Sequence, residues 1–154
     1  MQNWGSSRES MGRRLFLILF GFLPSSWKVF LLRNQRHKID NNVHFGICYL
    51  AVRKLDLGND MKIGNFNCLK NLRVLRMLDG ARIGGNFNGI TASRLNNMDN
   101  DGLGMLRMRR IAAIAGTHFF DLAETFTVGK ETIIAGFRST FMTNAKSADG
   151  ENIQ

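Results

Sequence analysis

The stretch 55-LDLGNDMKIGNFNCLK-70 repeats one short phrase at a spacing of six residues. Gly58 and Gly64 each follow an apolar residue and precede an asparagine. An amphipathic helix places apolar residues three and four apart, and a half-buried strand places them two apart. A period of six is instead typical of hexapeptide solenoids, in which each hexad supplies one short strand and a turn.

The same period extends in both directions from this stretch. Every sixth residue is apolar from residue 39 to residue 69, at Ile39, Phe45, Ala51, Leu57, Ile63 and Leu69. The spacing of six returns at Met77 and Ile83, and again at Met108, Ile114 and Phe120. After a slip of two residues, it returns once more at Val128 and Ile134. We expect these anchors to point into the shaft of a β-helix whose coils each contain three hexads. Gly or Asn is expected at the corners, because both tolerate left-handed backbone angles.

The period divides the chain into three parts. Residues 1–38 form a basic and apolar helical cap, residues 39–144 form the hexapeptide-repeat β-helix, and residues 145–154 form a flexible tail. Within the β-helix, residues 91–103 (TASRLNNMDNDGL) break the period and are polar. We expect them to form an insertion that leaves the solenoid at a corner.

The N-terminal segment combines an apolar run with basic residues. The run from Leu15 to Leu23 follows Arg13 and Arg14, and its nine residues are fewer than the roughly 20 that span a bilayer. The next segment places Trp27 and Phe30 at helical spacing among basic residues. Two compatible interpretations stay open: peripheral membrane contact through residues 13–38, and a helix pair that caps the open end of the solenoid.

Composition and charge exclude several classes of function. The net charge of +9 and the pI near 10.4 suit an anionic partner, but the basic residues are dispersed and no nucleic-acid-binding motif accompanies them. Nucleic acid is therefore not an expected partner. Cys48 and Cys68 stand apart and the three histidines are scattered, so we expect two reduced, half-buried thiols and no metal site. The sequence contains no phosphate-binding Walker loop and no nucleophile elbow.

The most specific stretch of the chain is 114-IAGTHFFDLAETFTVGKETIIAGFRSTFMTN-144. It resembles the closing pattern of the left-handed β-helix, hexapeptide-repeat acyltransferases, in particular the branch that decorates capsule, exopolysaccharide and lipopolysaccharide. That pattern has the form I-T-S-x-H-x-I-D, followed by V-T-I-G-x-x-T-x-I-A-G-x-R-S-x-F-L-T-H. The residues that fit it position by position are His118, Asp121, Gly129, Ala135, Gly136, Arg138, Ser139, Phe141 and Thr143. The resemblance as a whole runs from about residue 23 to residue 144.

The resemblance implies an all-β, left-handed parallel β-helix with short N-terminal helices. It also implies a homotrimer with sites between neighbouring prisms, located in the cytoplasm at the inner face of the membrane. The implied activity is acyl transfer from acetyl-CoA, or another acyl-CoA, to a hydroxyl of a saccharide acceptor, without a metal. In this chemistry a histidine takes the proton of the acceptor hydroxyl, and backbone N–H groups stabilise the oxyanion.

The resemblance assigns roles to six residues of this chain. His118 is a candidate general base, Asp121 is expected to orient its ring, and Ser139 supports the site. Arg138 is expected to pair with a CoA phosphate or a neighbouring glutamate, and Gly136 to contact the cofactor. The family's second histidine corresponds to Asn144, which cannot take a proton at neutral pH. A catalytically inactive trimeric scaffold is therefore the alternative, and the short sequence after residue 144 is expected of a truncated or diverged member.

Overall fold

The structure is a computed structural model that describes residues 11–92, 104–122 and 125–135, together with the backbone of two short strands near the C-terminus. The helices are α1 (Met11–Phe22) and α2 (Ser25–Asn34). The strands are β1 (Lys38–Ile39), β2 (His44–Phe45), β3 (Cys48–Leu57), β4 (Lys62–Ile63), β5 (Asn67–Met77), β6 (Arg82–Ile83), β7 (Gly89–Thr91), β8 (Met105–Met108), β9 (Ala113–Ile114), β10 (Phe119–Asp121), β11 (Thr125–Val128), β12 (Ile133–Ile134), β13 (Thr140–Phe141) and β14 (Asn152–Ile153).

The strands stack into three walls around one shaft. The first wall contains β1, the C-terminal halves of β3 and β5, β8 and β11. The second wall contains β2, β4, β6, β9, β12 and β14, and the third contains the N-terminal halves of β3 and β5, β7, β10 and β13. All of these pairings are parallel, and the coils make about four turns. The predicted all-β parallel β-helix is thus confirmed.

The coils differ in length, and the difference locates the predicted insertion. In the second wall, Phe45 pairs with Ile63 eighteen residues later, and Ile63 pairs with Ile83 twenty residues later. Ile83 then pairs with Ile114, an offset of thirty-one, before the offset returns to twenty. The long coil contains the expected insertion, although Thr91 still belongs to β7. The remaining part, residues 93–103, lies outside the described residues.

The anchors predicted from the period of six line the shaft, with one exception. All but Ala51 are buried, with exposed fractions of 7% or less. Ala51 is half-buried and pairs with Lys70, while its neighbour Leu50 points inward with 6% exposure. The prediction for Ala51 was wrong because the third strand of the first coil begins at Cys48, which brings the inward positions to Cys48 and Leu50.

The third corner of each early coil is a bend in a continuous strand. β3 and β5 run through it without a turn, and the register between them shifts at Ala51/Val52. The extra residue of β5 is Asn71, which has a positive φ of 59°. A β-bulge of this kind increases the local twist and bends the strand. The rule of one turn per hexad therefore holds at two corners and is wrong at the third.

The corner residues match the prediction in part, since left-handed φ angles occur at Asn42, Asn86 and Gly80 but also at residues that are neither Gly nor Asn. Left-handed φ angles fall two residues after each glycine of the repeated phrase, at Asp60 and Phe66. Gly58 and Gly64 are required for a different reason, which is the close approach of the next coil. A Cβ on Gly64 would lie 2.5 Å from the backbone nitrogen of Gly85, and one on Gly58 would lie 2.9 Å from the next coil's backbone. Adjacent coils therefore stack too closely here for any side chain.

The asparagines of the repeated phrase bond from coil to coil. The Oδ1 of Asn65 accepts a hydrogen bond from the backbone N–H of Ile47 at 2.9 Å. The Oδ1 of Asn59 accepts one from the N–H of Asn41 at 3.2 Å, and the N–H of Asn59 donates to Asp79 at 2.8 Å. The Gly-Asn pair thus combines close backbone stacking with a hydrogen bond to the preceding coil.

Both helices pack on the first coil, where a β-helix would otherwise present an open end. Phe20 and Leu32 are buried with the shaft residues. The hydroxyl of Ser25 accepts a hydrogen bond from the N–H of Phe45 at 2.9 Å, and the guanidinium of Arg33 donates to the carbonyl of Ile39 at 3.1 Å. These side chains satisfy backbone groups at the exposed edge of the first coil.

Candidate functional site

A column of polar side chains runs inside the shaft at the corner between the second and third walls. The strand register places Cys48, Asn67, Asn88 and His118 at equivalent positions in successive coils. Each of them is at most 3% exposed. We call these four residues the inner column. Because buried polar groups are costly unless they are hydrogen-bonded, their contacts decide what the column does.

Two asparagines form the centre of the inner column. The amide of Asn67 donates to the carbonyl oxygens of Gly64 at 2.9 Å and Gly84 at 2.8 Å. The amide of Asn88 donates to Oδ1 of Asn67 at 2.9 Å and to the carbonyl of Gly84 at 3.1 Å. The N–H of His118 in turn donates to Oδ1 of Asn88 at 3.0 Å. These hydrogen bonds, to side-chain and backbone oxygen atoms inside the shaft, therefore link three coils.

A buried lysine from the helical cap completes this corner at the first coil. Lys28 of α2 has an exposed fraction of 0%, and its ammonium donates to the carbonyls of Gly21 at 2.7 Å and Gly46 at 2.5 Å. Burial lowers the pKa of Lys28, and burial raises the pKa of the nearby Cys48 thiol to about 11, with the Lys28 ammonium opposing that rise. The thiol is protonated at neutral pH and is shielded from reagents.

His118, the candidate general base, lies in this column. Its exposed fraction is 0%, its ring lies 6.1 Å from that of Phe120, and burial lowers its pKa so that the imidazole is neutral at pH 7. A neutral imidazole has the protonation state that a base requires, but the ring is enclosed by the shaft of its own chain. An acceptor hydroxyl in solvent does not reach it in this conformation.

Asp121, predicted to orient the His118 ring, lies on the outer surface of the third wall. Along β10, Phe119 is exposed, Phe120 is buried and Asp121 is half-buried, which is the alternation of a strand. Asp121 thus shares a surface with Phe119, whereas His118 lies inside. The structure places the two residues of the predicted pair on opposite sides of the coil wall.

The other predicted site residues, Gly136, Arg138, Ser139 and Asn144, lie outside the described residues. The backbone next to them is described at β13, where Thr140 and Phe141 pair with Phe119 and Phe120 of the coil before. The two halves of the stretch that carries the family resemblance are therefore stacked in register.

The outer surface of the second wall has a column of basic side chains. His44, Lys62 and Arg82 are consecutive Cα partners and are all exposed. Neighbouring strands in a sheet are about 4.8 Å apart, so the three side chains lie within roughly 10 Å along the shaft. We call these three residues the outer basic column. Their spacing allows one anionic group to contact more than one of them.

The described residues contain no group of three or more metal-ligating side chains that could hold an ion. They also contain no helix that is long and apolar enough to cross a membrane. Cys68, expected to be half-buried, is exposed, while Cys48 is fully buried. His37 lies under the cap, where its Nδ1 accepts a hydrogen bond from the N–H of Leu55 at 3.2 Å and burial lowers its pKa.

Comparison with known protein families, with curated proteins and with solved structures gives no match for this chain. The family resemblance therefore depends on the residues quoted above and on the β-helix itself.

Sequence reasoning missed the inner column, although the sequence contains a signal for it. Each member stands two residues before a buried apolar residue, namely Leu50, Leu69, Ile90 and Phe120. In a strand, positions two apart face the same side, so a polar residue at this position also points inward. The period of six marks only the apolar anchors, so it gave no prediction for Asn67 and Asn88.

Proposed function

We propose that the chain is an acyl-CoA-dependent O-acyltransferase that transfers an acetyl group to a saccharide hydroxyl, assembled as a homotrimer. The observation that carries this proposal is that the stretch resembling the hexapeptide acyltransferases folds as stacked coils of a parallel β-helix, with β10 in register with β13.

The reaction requires few groups from the protein. The acceptor oxygen attacks the thioester carbonyl, a bond from that oxygen to the acyl carbon forms, and the bond from the acyl carbon to sulfur breaks. The hydroxyl proton passes to a base, and the CoA thiolate leaves and is protonated. As the resemblance implies, we expect backbone N–H groups along the coil edges to stabilise the oxyanion.

The charge of the prism surface supports an anionic donor. CoA carries phosphate groups, and the outer basic column presents three basic side chains in one line. The acidic residues nearest along the chain, Asp60 and Asp79, lie at the corners of the coils. We therefore expect the donor phosphates to contact the second wall.

The first test is calorimetric titration of the full chain with acetyl-CoA, with the oligomeric state measured in the same buffer. Micromolar binding to a trimer supports the proposal. A K62Q/R82Q variant should then bind more weakly, by about tenfold or more if two phosphate contacts are lost. A folded trimer that shows no binding contradicts the proposal.

The second test asks which residue acts as the base, by following release of the CoA thiol. His118→Asn suits this question because Asn88 shows that an asparagine side chain fits the inner column, while asparagine cannot accept the proton. Retained turnover in H118N excludes His118 as the base, and abolished turnover in a folded H118N confirms its role. His44→Asn tests the exposed histidine, and Asn144→His tests whether the family's second histidine restores or raises activity.

A second candidate function is a catalytically inactive scaffold, and the enclosure of His118 favours it. In the described residues, the histidine that the resemblance assigns as base is fully buried, and its backbone N–H donates to Asn88. The two candidates are distinguished by acetyl-CoA binding: a scaffold forms the same oligomer but neither binds the donor nor gains turnover in N144H.

A further inference from the structure

The two N-terminal helices have apolar residues on the side that faces away from the prism. In α1, Leu15, Leu19 and Phe22 are between 57% and 67% exposed, and Phe16 and Ile18 are about half exposed. In α2, Trp27 and Phe30 are 62% and 63% exposed. We call these seven residues the apolar helix face. A helix that only caps a solenoid needs one apolar side, so the second side requires another explanation.

The orientation of α2 also indicates that the outward apolar side is not needed for capping. Its buried side includes Lys28, whose ammonium bonds to backbone carbonyls, while its aromatic residues Trp27 and Phe30 face outward. A long basic side chain is normally the exposed group and an aromatic ring the buried one. The cap thus keeps large aromatic side chains at its outer surface although it buries a lysine.

The apolar helix face continues onto the prism. A groove of about 260 Å³ lies between α1 and the first coils, and its lining includes Ile18, Phe22, Phe66 and Phe87. The last two rings are exposed and stack with centroids 5.5 Å apart. The apolar surface therefore runs from the helices along the corner of two coils.

The charge around this face identifies the kind of partner. Apart from the buried Lys28, residues 11–39 include five basic residues, Arg13, Arg14, Arg33, Arg36 and Lys38, and no acidic residue. Of these, Lys38 pairs with Asp56 of the first wall. A second copy of the same face would place like charges opposite one another, whereas an anionic lipid surface complements them. Aromatic and aliphatic residues beside basic ones are typical of helices that lie in a membrane interface.

We propose that α1 and α2 lie on the surface of an anionic bilayer, with the apolar helix face inserted between the headgroups. At 12 residues, α1 is about 18 Å long and so lies in the interface without crossing it. The helices remain packed on the first coil through their other side, so the prism is held at the membrane surface. This inference does not depend on acyl transfer.

The test is flotation of the full chain with vesicles of phosphatidylcholine, alone or with about one third phosphatidylglycerol. We expect binding to the anionic vesicles that weakens as salt is raised. L19E/F22E changes two exposed positions, so the fold should be retained while vesicle affinity falls by at least about 100-fold. R13Q/R14Q should reduce affinity for the anionic vesicles by about 30-fold, from about fivefold per charge.

The matched control is I111E/I133E, which makes the same charge change at two exposed positions of the prism. Glu131 already occupies the position level with Ile111 in the next coil, so a glutamate fits there. The control should keep nearly full vesicle binding. The proposal is overturned if the wild-type chain does not float, if L19E/F22E floats equally well, or if L19E/F22E only dissociates an oligomer.

Discussion

Asn88 offers the sharpest test of the inner column, through the substitution Asn88→Leu. Leucine has a similar volume and keeps the position filled, so the change removes hydrogen bonds with little effect on packing. Three bonds that involve the Asn88 side chain are lost: those from its amide to Asn67 and Gly84, and the one from the N–H of His118 to its Oδ1.

The expected loss of stability follows from what these partners retain. The carbonyl of Gly84 still accepts from Asn67, and Oδ1 of Asn67 still accepts from the backbone N–H of residue 88. The N–H of His118 loses the acceptor given by Asn88 and is buried. An unsatisfied buried donor costs about 1–3 kcal/mol, and each of the other two bonds contributes about 1 kcal/mol. The total is about 3–5 kcal/mol, or a fall in Tm of about 6–20 °C.

The assay is thermal and urea unfolding of the purified chain, followed by circular dichroism. Asn65→Leu is the matched control, because Asn65 also bonds from coil to coil but lies at the surface, where water replaces the lost partner. N65L should lower the stability by less than about 1 kcal/mol. If N88L is no more destabilising than N65L, the inner column does not stabilise the stack and its polar residues need another explanation.

Three further predictions follow from the described contacts. Gly64→Ala should destabilise the fold by about 2 kcal/mol or more in urea unfolding, because the added Cβ would overlap the next coil. The control is Gly12→Ala on α1, where a Cβ meets open space, and it should be neutral or stabilising by up to about 1 kcal/mol. Burial lowers the pKa of His118, so the unfolded chain binds a proton at this imidazole more readily than the folded chain does. The free energy of unfolding should therefore fall as the pH drops below about 6.5, by at most about 1.4 kcal/mol per pH unit. His118→Asn should make this pH dependence shallower, and an unchanged slope would contradict the assignment of the effect to His118. Desolvation raises the pKa of the Cys68 thiol, with Lys70 opposing that rise, but Cys68 is exposed whereas Cys48 is buried. A thiol reagent should therefore modify Cys68 in the native chain and Cys48 only after unfolding; modification of both thiols in the folded chain would show that the first coil is open.

The period of six predicted the fold because shaft packing is a local, repeated requirement. Each coil must place an apolar side chain at nearly the same point of the triangle, and Ile63, Ile83 and Ile114 satisfy this in register. The break of the period at residues 91–103 was visible for the same reason, since a run of polar side chains is not suited to fill an apolar shaft. These features depend only on burial and on strand geometry, which leave a direct trace in the sequence.

The features that the sequence did not reveal depend on contacts between coils. Gly58 and Gly64 were assigned to left-handed corners, but their requirement comes from backbone that lies about twenty residues away. Lys28 is one of the basic residues around Trp27 and Phe30 in the predicted amphipathic helix, yet its acceptors belong to α1 and to the first coil. His118 was assigned as a base from its motif, and only the register shows that it follows Asn67 and Asn88 inside the shaft.

Lys28 also connects the two proposals for this molecule. Its ammonium donates to the carbonyl of Gly21 in α1 and to the carbonyl of Gly46 in the first coil. Lys28 therefore joins α2 to both of them. Since a buried ammonium that lost these acceptors would be strongly destabilising, the helices are held firmly to the prism and do not swing as a flexible tether. A bilayer that binds the apolar helix face would therefore fix the axis of the β-helix as well as its distance from the membrane. The outer basic column, on a wall of the same rigid prism, would then keep one constant orientation toward the lipid surface.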